Sequence, residues 1–244
     1  MAPDRAPPAR AAATIVSNEG TFFMLQRLRA TLPLSLSIAV LAAVWVDVSL
    51  NFTFHWATAG DLGNGLALPG NLQLIAPAAF VSWATFFAAG ADGSAMRKAI
   101  ASSLSGCVGA FALMAMGPKV AGLPDFWGLA VVVGVIATIV VLASAAGEWY
   151  FVPGVFGAFA STVFWWIATG LDGWAPGGGG AANTLKALGD PTTAGAGAFG
   201  GVLSTPILWV AISTFASLLC GCLLGLMSVK LAGVLGSVIG PKEQ

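Results

Sequence analysis

The chain has 244 residues, of which 57% are hydrophobic and 8% charged, with a formal net charge of zero. Soluble domains run near ~25% charged, so the composition excludes a water-soluble fold and places the chain in a lipid bilayer. Zero net charge excludes a basic field for nucleic acid and an acidic tail.

In chain order, residues 1–20 are rich in Ala, Pro and Arg, and residues 1–31 read as a disordered cytoplasmic tail. The first apolar stretch starts only near residue 32 and is too long for a signal-peptide core. Six apolar runs of membrane-spanning length follow: 32–54, 72–89, 99–116, 126–146, 151–171 and 205–229. Together they predict an all-α, polytopic bundle over 32–230 and a cytoplasmic C-terminal tail over 231–244.

The first span carries Asp47, Asn51 and His55 at intervals of four, on one face climbing toward its end. A carboxylate within a span is expensive and marks a functional site or a pair. Two readings stand: an external vestibule that strips water from an entering solute, or an interfacial polar cap holding the loop 55–71. The second span contains Pro77 and the third the small residues Ser102, Gly106 and Ala110. The fourth and fifth nearly touch across Gly147-Glu148-Trp149-Tyr150, which forces a tight hairpin, and Pro153 stands at the start of the fifth. A proline within a helix removes a backbone hydrogen bond, and freed carbonyls at membrane depth are tolerated only inside protein or along a wet cavity. The milder alternative is a kink re-satisfied by Ser or Thr, or a proline near a helix start. The Gly-rich loop 172–204 reads as a linker, with a lid or re-entrant segment as its rivals. The sixth span sets Ser213, Ser217, Gly221 and Gly225 on one stripe, a surface for close helix packing or a pore lining.

Orientation follows from the basic residues. With the N-terminus inside, Arg5, Arg10, Arg27, Arg29, Arg97, Lys98, Lys230 and Lys242 are cytoplasmic, and only Lys119 and Lys186 lie outside, as the positive-inside rule requires.

The halves echo one another. Pro77-Ala78-Ala79-Phe80 matches Pro153-Gly154-Val155-Phe156, and Ser102 to Cys107 matches Ser217 to Cys222. Three spans per half is an odd number, so a true repeat would be inverted, a common transporter plan; chance likeness in a low-complexity sequence is the rival. The candidate solute-binding or pore residues are therefore Asp47, Asn51, His55, Pro77, Pro153, Phe80 and Phe156.

No enzyme chemistry is legible. The chain has one histidine and no nucleophile set, metal site or cofactor site. Cys220 and Cys222 point about 200° apart on a helix and read, with Cys107, as small buried hydrophobes. The expected partners are the lipid bilayer, a small solute and a second copy of the chain.

Ser82-Trp83-Ala84-Thr85-Phe86-Phe87-Ala88-Ala89-Gly90 and Phe151-Val152-Pro153-Gly154-Val155-Phe156-Gly157-Ala158-Phe159-Ala160 resemble bacterial inner-membrane proteins of domain-of-unknown-function family 1097, over roughly residues 35–235. The resemblance implies a compact helical bundle in the bacterial inner membrane and brings no substrate and no functional residues. This chain departs from the family pattern in a longer N-terminal tail and larger loops after the first and fifth helices, room for a partner or role that shorter members lack. The expected function is a channel or facilitator for a small neutral or weakly polar solute, such as a gas, a urea-like amide or a weak acid. The alternative is a non-transporting scaffold subunit of a larger membrane complex.

Overall fold

A computed structural model of the chain describes residues 9–53, 72–120, 127–169 and 206–239. Their regular structure is helical: α1 (Ala9–Asn51), α2 (Ala76–Ala88), α3 (Gly93–Val120), α4 (Trp127–Leu142) with a 3-10 turn at Ala143–Ala146, α5 (Val152–Ala168) and α6 (Ile207–Ile239). Four stretches have the length and apolar composition to cross a bilayer, Phe23–Asn51, Gly93–Gly117, Trp127–Ala146 and Ile207–Val238, as a multi-pass membrane protein requires.

The other two expected spans are shorter helices. α2 has 13 residues and α5 has 17. At about 1.5 Å per residue they reach roughly 20 and 26 Å, against a hydrocarbon core of about 30 Å. The prolines are the reason. Pro77 and Pro153 each stand in the first turn, and a proline ring clashes with the carbonyl four residues earlier, so neither helix can extend further back. This corrects the expectation that Pro77 breaks a bond inside a helix. In a first turn the missing N–H would have had no helical partner anyway.

The longer helices exceed their expected bounds. α1 begins at Ala9 rather than near residue 32, and its first turn carries Ala9, Ala11 and Ala12, alanine being the strongest helix former among the residues. α6 likewise runs to Ile239, past the expected limit at 229.

The chain divides into two compact units, residues 1–42 with 228–244, and residues 43–227. In the first, the Ser37 hydroxyl donates to the carbonyl of Ser228 at 2.7 Å, and a Cβ on Gly236 would lie 3.9 Å from Pro33 Cγ. The numbering rises on one helix as it falls on the other, so α1 and α6 run antiparallel here.

In the larger unit α3 packs extensively on α5, and α2 and α4 pack on these two. Ile75, Ala78, Cys107, Met114, Ala158 and Trp165 belong to one buried cluster, and Phe86, Ala95, Ala99 and Cys222 to a second. The turn from α2 to α3 uses Gly90 at φ 119° and Ala91 at φ 59°. Asp92 then caps α3, its carboxylate accepting from the Ala95 N–H at 2.7 Å. That bond, with help from the Ser94 hydroxyl, holds the exposed Asp92 carboxyl below its ordinary 3.8.

Candidate functional site

Residues 72–75 lead into α2 without being helical, so their N–H groups have no helical partners. In a bilayer each unpaired group costs several kcal/mol. Side chains from α1, from α6 and from Thr53 just past α1 take up groups of this lead-in. The Gln73 N–H donates to Ser213 Oγ at 3.0 Å and the Ile75 N–H to Ser217 Oγ at 2.8 Å. Thr53 Oγ1 accepts from the Leu74 N–H and donates to the Leu74 carbonyl, both at 2.9 Å. Trp45 Nε1 donates to the Ala76 carbonyl at 3.2 Å. The Gln73 side chain, 2% exposed, accepts from Trp165 Nε1 at 2.8 Å.

The lead-in to α5 is built on the same local plan. Ile75 before α2 has φ −101° and ψ 99°; Phe151 before α5 has φ −101° and ψ 94°. Each carbonyl receives the N–H groups three and four residues on, Ala78 and Ala79 in one case, Gly154 and Val155 in the other. Phe151 is also held by a serine, since Ser102 Oγ of α3 donates to its carbonyl at 2.9 Å. Ile75 and Phe151 are 76 residues apart, as are Pro77 and Pro153; Ser102 and Ser217 are 115 apart.

Glycine contacts obey the same two offsets. A Cβ on Gly221 of α6 would strike the Ala79 carbonyl and Ser82 Oγ of α2. On Gly106 of α3 it would strike the Val155 carbonyl and lie 2.6 Å from the Ala158 Cβ of α5. Ala79 pairs with Val155 and Ser82 with Ala158 at an offset of 76, and Gly106 with Gly221 at 115. The helices α2 and α5 meet each other where a Cβ on Gly157 would lie 2.9 Å from Val81, and one on Gly154 2.7 Å from Thr85. One numbering rises as the other falls, so they cross antiparallel. The stripe expected on α6 is thus filled from within: Ser213 and Ser217 hold the lead-in to α2, Gly221 abuts α2, and Gly225 abuts Phe86.

The two lead-ins differ in one respect. The place of Gln73 is taken, 76 residues on, by Trp149, and that of Ser213, 115 residues back, by Lys98. Gln73 and Ser213 are buried, whereas Trp149 is exposed and Lys98 half-buried. Trp149 folds back on its own chain, donating from Nε1 to the Ala146 carbonyl at 3.1 Å beside Gly147 at φ 130°. Among the described residues the lead-in to α2 is held by five side chains from elsewhere in the fold, Ser213, Ser217, Thr53, Trp45 and Trp165, and the lead-in to α5 by one, Ser102.

Of the residues expected to form a site, Asp47 and Asn51 do meet. Asn51 Nδ2 donates to Asp47 Oδ1 at 3.2 Å and to the Asp47 carbonyl at 2.9 Å, with Asp47 exposed. His55 and the loops 55–71 and 172–204 fall outside the described residues. Pro77, Pro153, Phe80 and Phe156 all lie on the exposed sides of α2 and α5, so the structure does not gather them round one cavity. Among the described residues every buried polar side chain is uncharged, a serine, a threonine or Gln73, and no three His, Cys, Asp or Glu gather as metal ligands would.

Sequence reasoning missed Gln73, Thr53 and Trp165. The available signal was one amide in Leu72-Gln73-Leu74-Ile75-Ala76-Pro77, just ahead of a proline that starts a helix.

Residues 35–233 match the family model described as "Protein of unknown function (DUF1097)", and the chain belongs to that family. No curated protein and no solved structure matches it.

Proposed function

We propose that this DUF1097 member passes a small neutral or weakly polar solute across the bacterial inner membrane, through six spans arranged as two inverted three-helix repeats. The observation that carries the reading is the reciprocal contact of α2 and α5. Val81 and Gly157 are themselves 76 residues apart, so exchanging the halves maps their contact onto itself, which is the mark of a two-fold relation. Because the helices cross antiparallel, the axis lies across them, in the plane of the membrane. Each half then lends its short helix to the other, α2 against α6 and α5 against α3. Side-chain environments follow suit: from Ala76 to Ala88 and from Val152 to Phe164, the burial pattern differs only at Trp83 and Phe159.

Inverted repeats with broken helices near the midplane are a transporter plan, and the buried polar groups suit an uncharged solute. Ser, Thr, Gln and Trp offer dipoles and no fixed charge, so an ion would find no partner for its lost hydration. A scaffold role has less support, since the small-residue stripe that a partner could have used is occupied by α2.

Swelling of proteoliposomes is the test, with urea, short amides, formate, acetate and ammonia as solutes. Acceleration by at least one of them, independent of an imposed proton gradient, is the expected result. Folded, inserted protein that accelerates none would overturn the reading, and uptake that needs the gradient would replace it with coupled transport.

Even parity and the basic residues put both termini in the cytoplasm, a reading supported by the antiparallel pairing of α1 and α6 in the smaller unit. A C-terminal fusion to green fluorescent protein should fluoresce in cells. A dark fusion beside an active C-terminal alkaline phosphatase fusion would reverse the orientation.

A further inference from the structure

Asp47 is the one carboxyl group within the four spanning stretches, and it lies on the outward side of its helix. Trp45 and Ser49 are buried, and Asp47, two residues from each, points about 200° away from both. Its neighbours on that side, Ala43, Val44 and Leu50, are exposed. Among the described residues only Asn51 bonds to the carboxyl group, donating to Oδ1 at 3.2 Å.

The ties of the α2 lead-in fix its depth. Trp45 reaches the Ala76 carbonyl and Thr53 the Leu74 main chain, so Asp47 stands level with residues 74–76. The N–H groups of Gln73 and Ile75 there meet Ser213 and Ser217, six and ten residues into α6 from Ile207. At about 1.5 Å per residue, that is roughly 9 to 15 Å below the end of an apolar helix. A lysine can snorkel out from such a depth on its long stem, but an aspartate is too short. Ionisable groups inside a membrane face protein or a wet cavity and pair there. The contrast is α4, still more open, with 11% of its apolar stretch buried against 17% for α1. Its exposed side carries no ionisable group, and its one hydroxyl, on Thr138, donates to its own Gly134 carbonyl. Hydrocarbon satisfies that face and cannot satisfy Asp47.

We propose that the outward face of α1 around Asp47 is an interface with a second copy of the chain, Asp47 of each copy accepting a hydrogen bond from Asn51 of the other. Two copies inserted in the same orientation hold their Asn51 side chains at one depth without any adjustment. The face carries an acceptor and a donor four residues apart, so it complements itself, as a two-fold interface requires. An asparagine amide has two hydrogens, one for its own Asp47 and one for the other copy's. Small Ala43, one turn away, lets the helices approach, and Val44 and Leu50 supply the apolar contact. The inference rests on membrane insertion and not on solute passage, so a failed swelling assay leaves it standing.

The test is energy transfer between donor- and acceptor-labelled full-length chains in liposomes, followed as the protein is diluted in lipid. Wild type should associate, and Asp47→Leu should weaken association about tenfold, two hydrogen bonds of membrane strength being lost. Asp47→Asn keeps an acceptor oxygen at the same depth and should associate as wild type does, which a loss of fold at this position would not allow. In the otherwise unchanged chain, a benzophenone side chain in place of Ala43 should crosslink to residues 43–51 of a second copy. Wild type that stays monomeric at every dilution, or association unaltered by Asp47→Leu, would overturn the proposal. So would crosslinks from position 43 that go only to lipid, or to loop 55–71 of the same chain, which would make that loop the occupant.

Discussion

Gly221→Ala and Gly106→Ala should each unfold the bundle or lower its melting temperature sharply, while Gly134→Ala leaves it unchanged or slightly more stable. The three substitutions add the same single carbon. At Gly221 that carbon meets the Ala79 carbonyl and Ser82 Oγ, and at Gly106 the Val155 carbonyl. Both obstacles include main chain of a neighbouring helix, which moves only if the whole helix moves. Overpacking against side chains costs about 1–3 kcal/mol; a carbonyl that cannot rotate away puts these sites at the upper end of that range or beyond. Nothing lies within 4 Å of a Cβ on Gly134, so only the helix-propensity gain of about 0.5–1 kcal/mol remains there. Thermal unfolding of detergent-purified protein, followed by size exclusion with fluorescence detection, separates the cases. Equal melting temperatures for Gly221→Ala and wild type would refute the α2–α6 contact. A large effect at Gly221 with none at Gly106 would refute the two-fold correspondence and leave the single contact intact.

The parts of this architecture that could be read from sequence were those written in hydropathy and in residue size. Apolar runs of about 18 to 25 residues located α1, α3, α4 and α6 because the bilayer demands such a length whatever the tertiary packing. The pairing of Asp47 with Asn51 was legible because helix geometry alone brings i and i+4 together. The echo of Pro77 to Phe80 in Pro153 to Phe156 was legible as a likeness of sequence, and the inverted repeat proposed from it draws on the paired glycine contacts as well. The extents of α2 and α5 were misread because residues 72–75 and Phe151 are nearly as apolar as the helices they precede. Hydropathy is blind to whether an apolar residue is helical. The first-turn prolines held that information: Pro153 already stood at the start of its expected helix, and reading Pro77 the same way would have set the start of α2. Gln73 escaped for another reason: its significance depends on Trp165 and Ser213, 92 and 140 residues away, and no local pattern encodes such a meeting.

Gln73 also separates the two lead-ins energetically, and a double-mutant cycle with Trp165 measures by how much. Gln73→Leu removes the acceptor of Trp165 Nε1, and Trp165→Phe removes the donor. Deleting one partner of a buried hydrogen bond costs about 1–3 kcal/mol, because the other keeps its desolvation penalty. Each single variant should therefore be clearly destabilised, and the double variant less so than their sum. The coupling should be near ~1 kcal/mol: interhelical hydrogen bonds within membranes average about 0.6 and reach about 1.7. Additive effects would mean that the 2.8 Å contact contributes nothing to holding α5 against the lead-in to α2. At the other lead-in Trp149→Phe should change stability little, since its indole is exposed and its N–H is bonded to the nearby Ala146 carbonyl of its own turn. That contrast bears on function. If solute enters past whichever lead-in loosens more easily, Gln73→Leu should speed proteoliposome swelling and Trp149→Phe should not, because the first undoes a tie between helices and the second removes none. A Gln73→Leu variant that is destabilised yet swells at the wild-type rate would confine Gln73 to a structural role and move the controlling barrier to the Val81–Gly157 crossing.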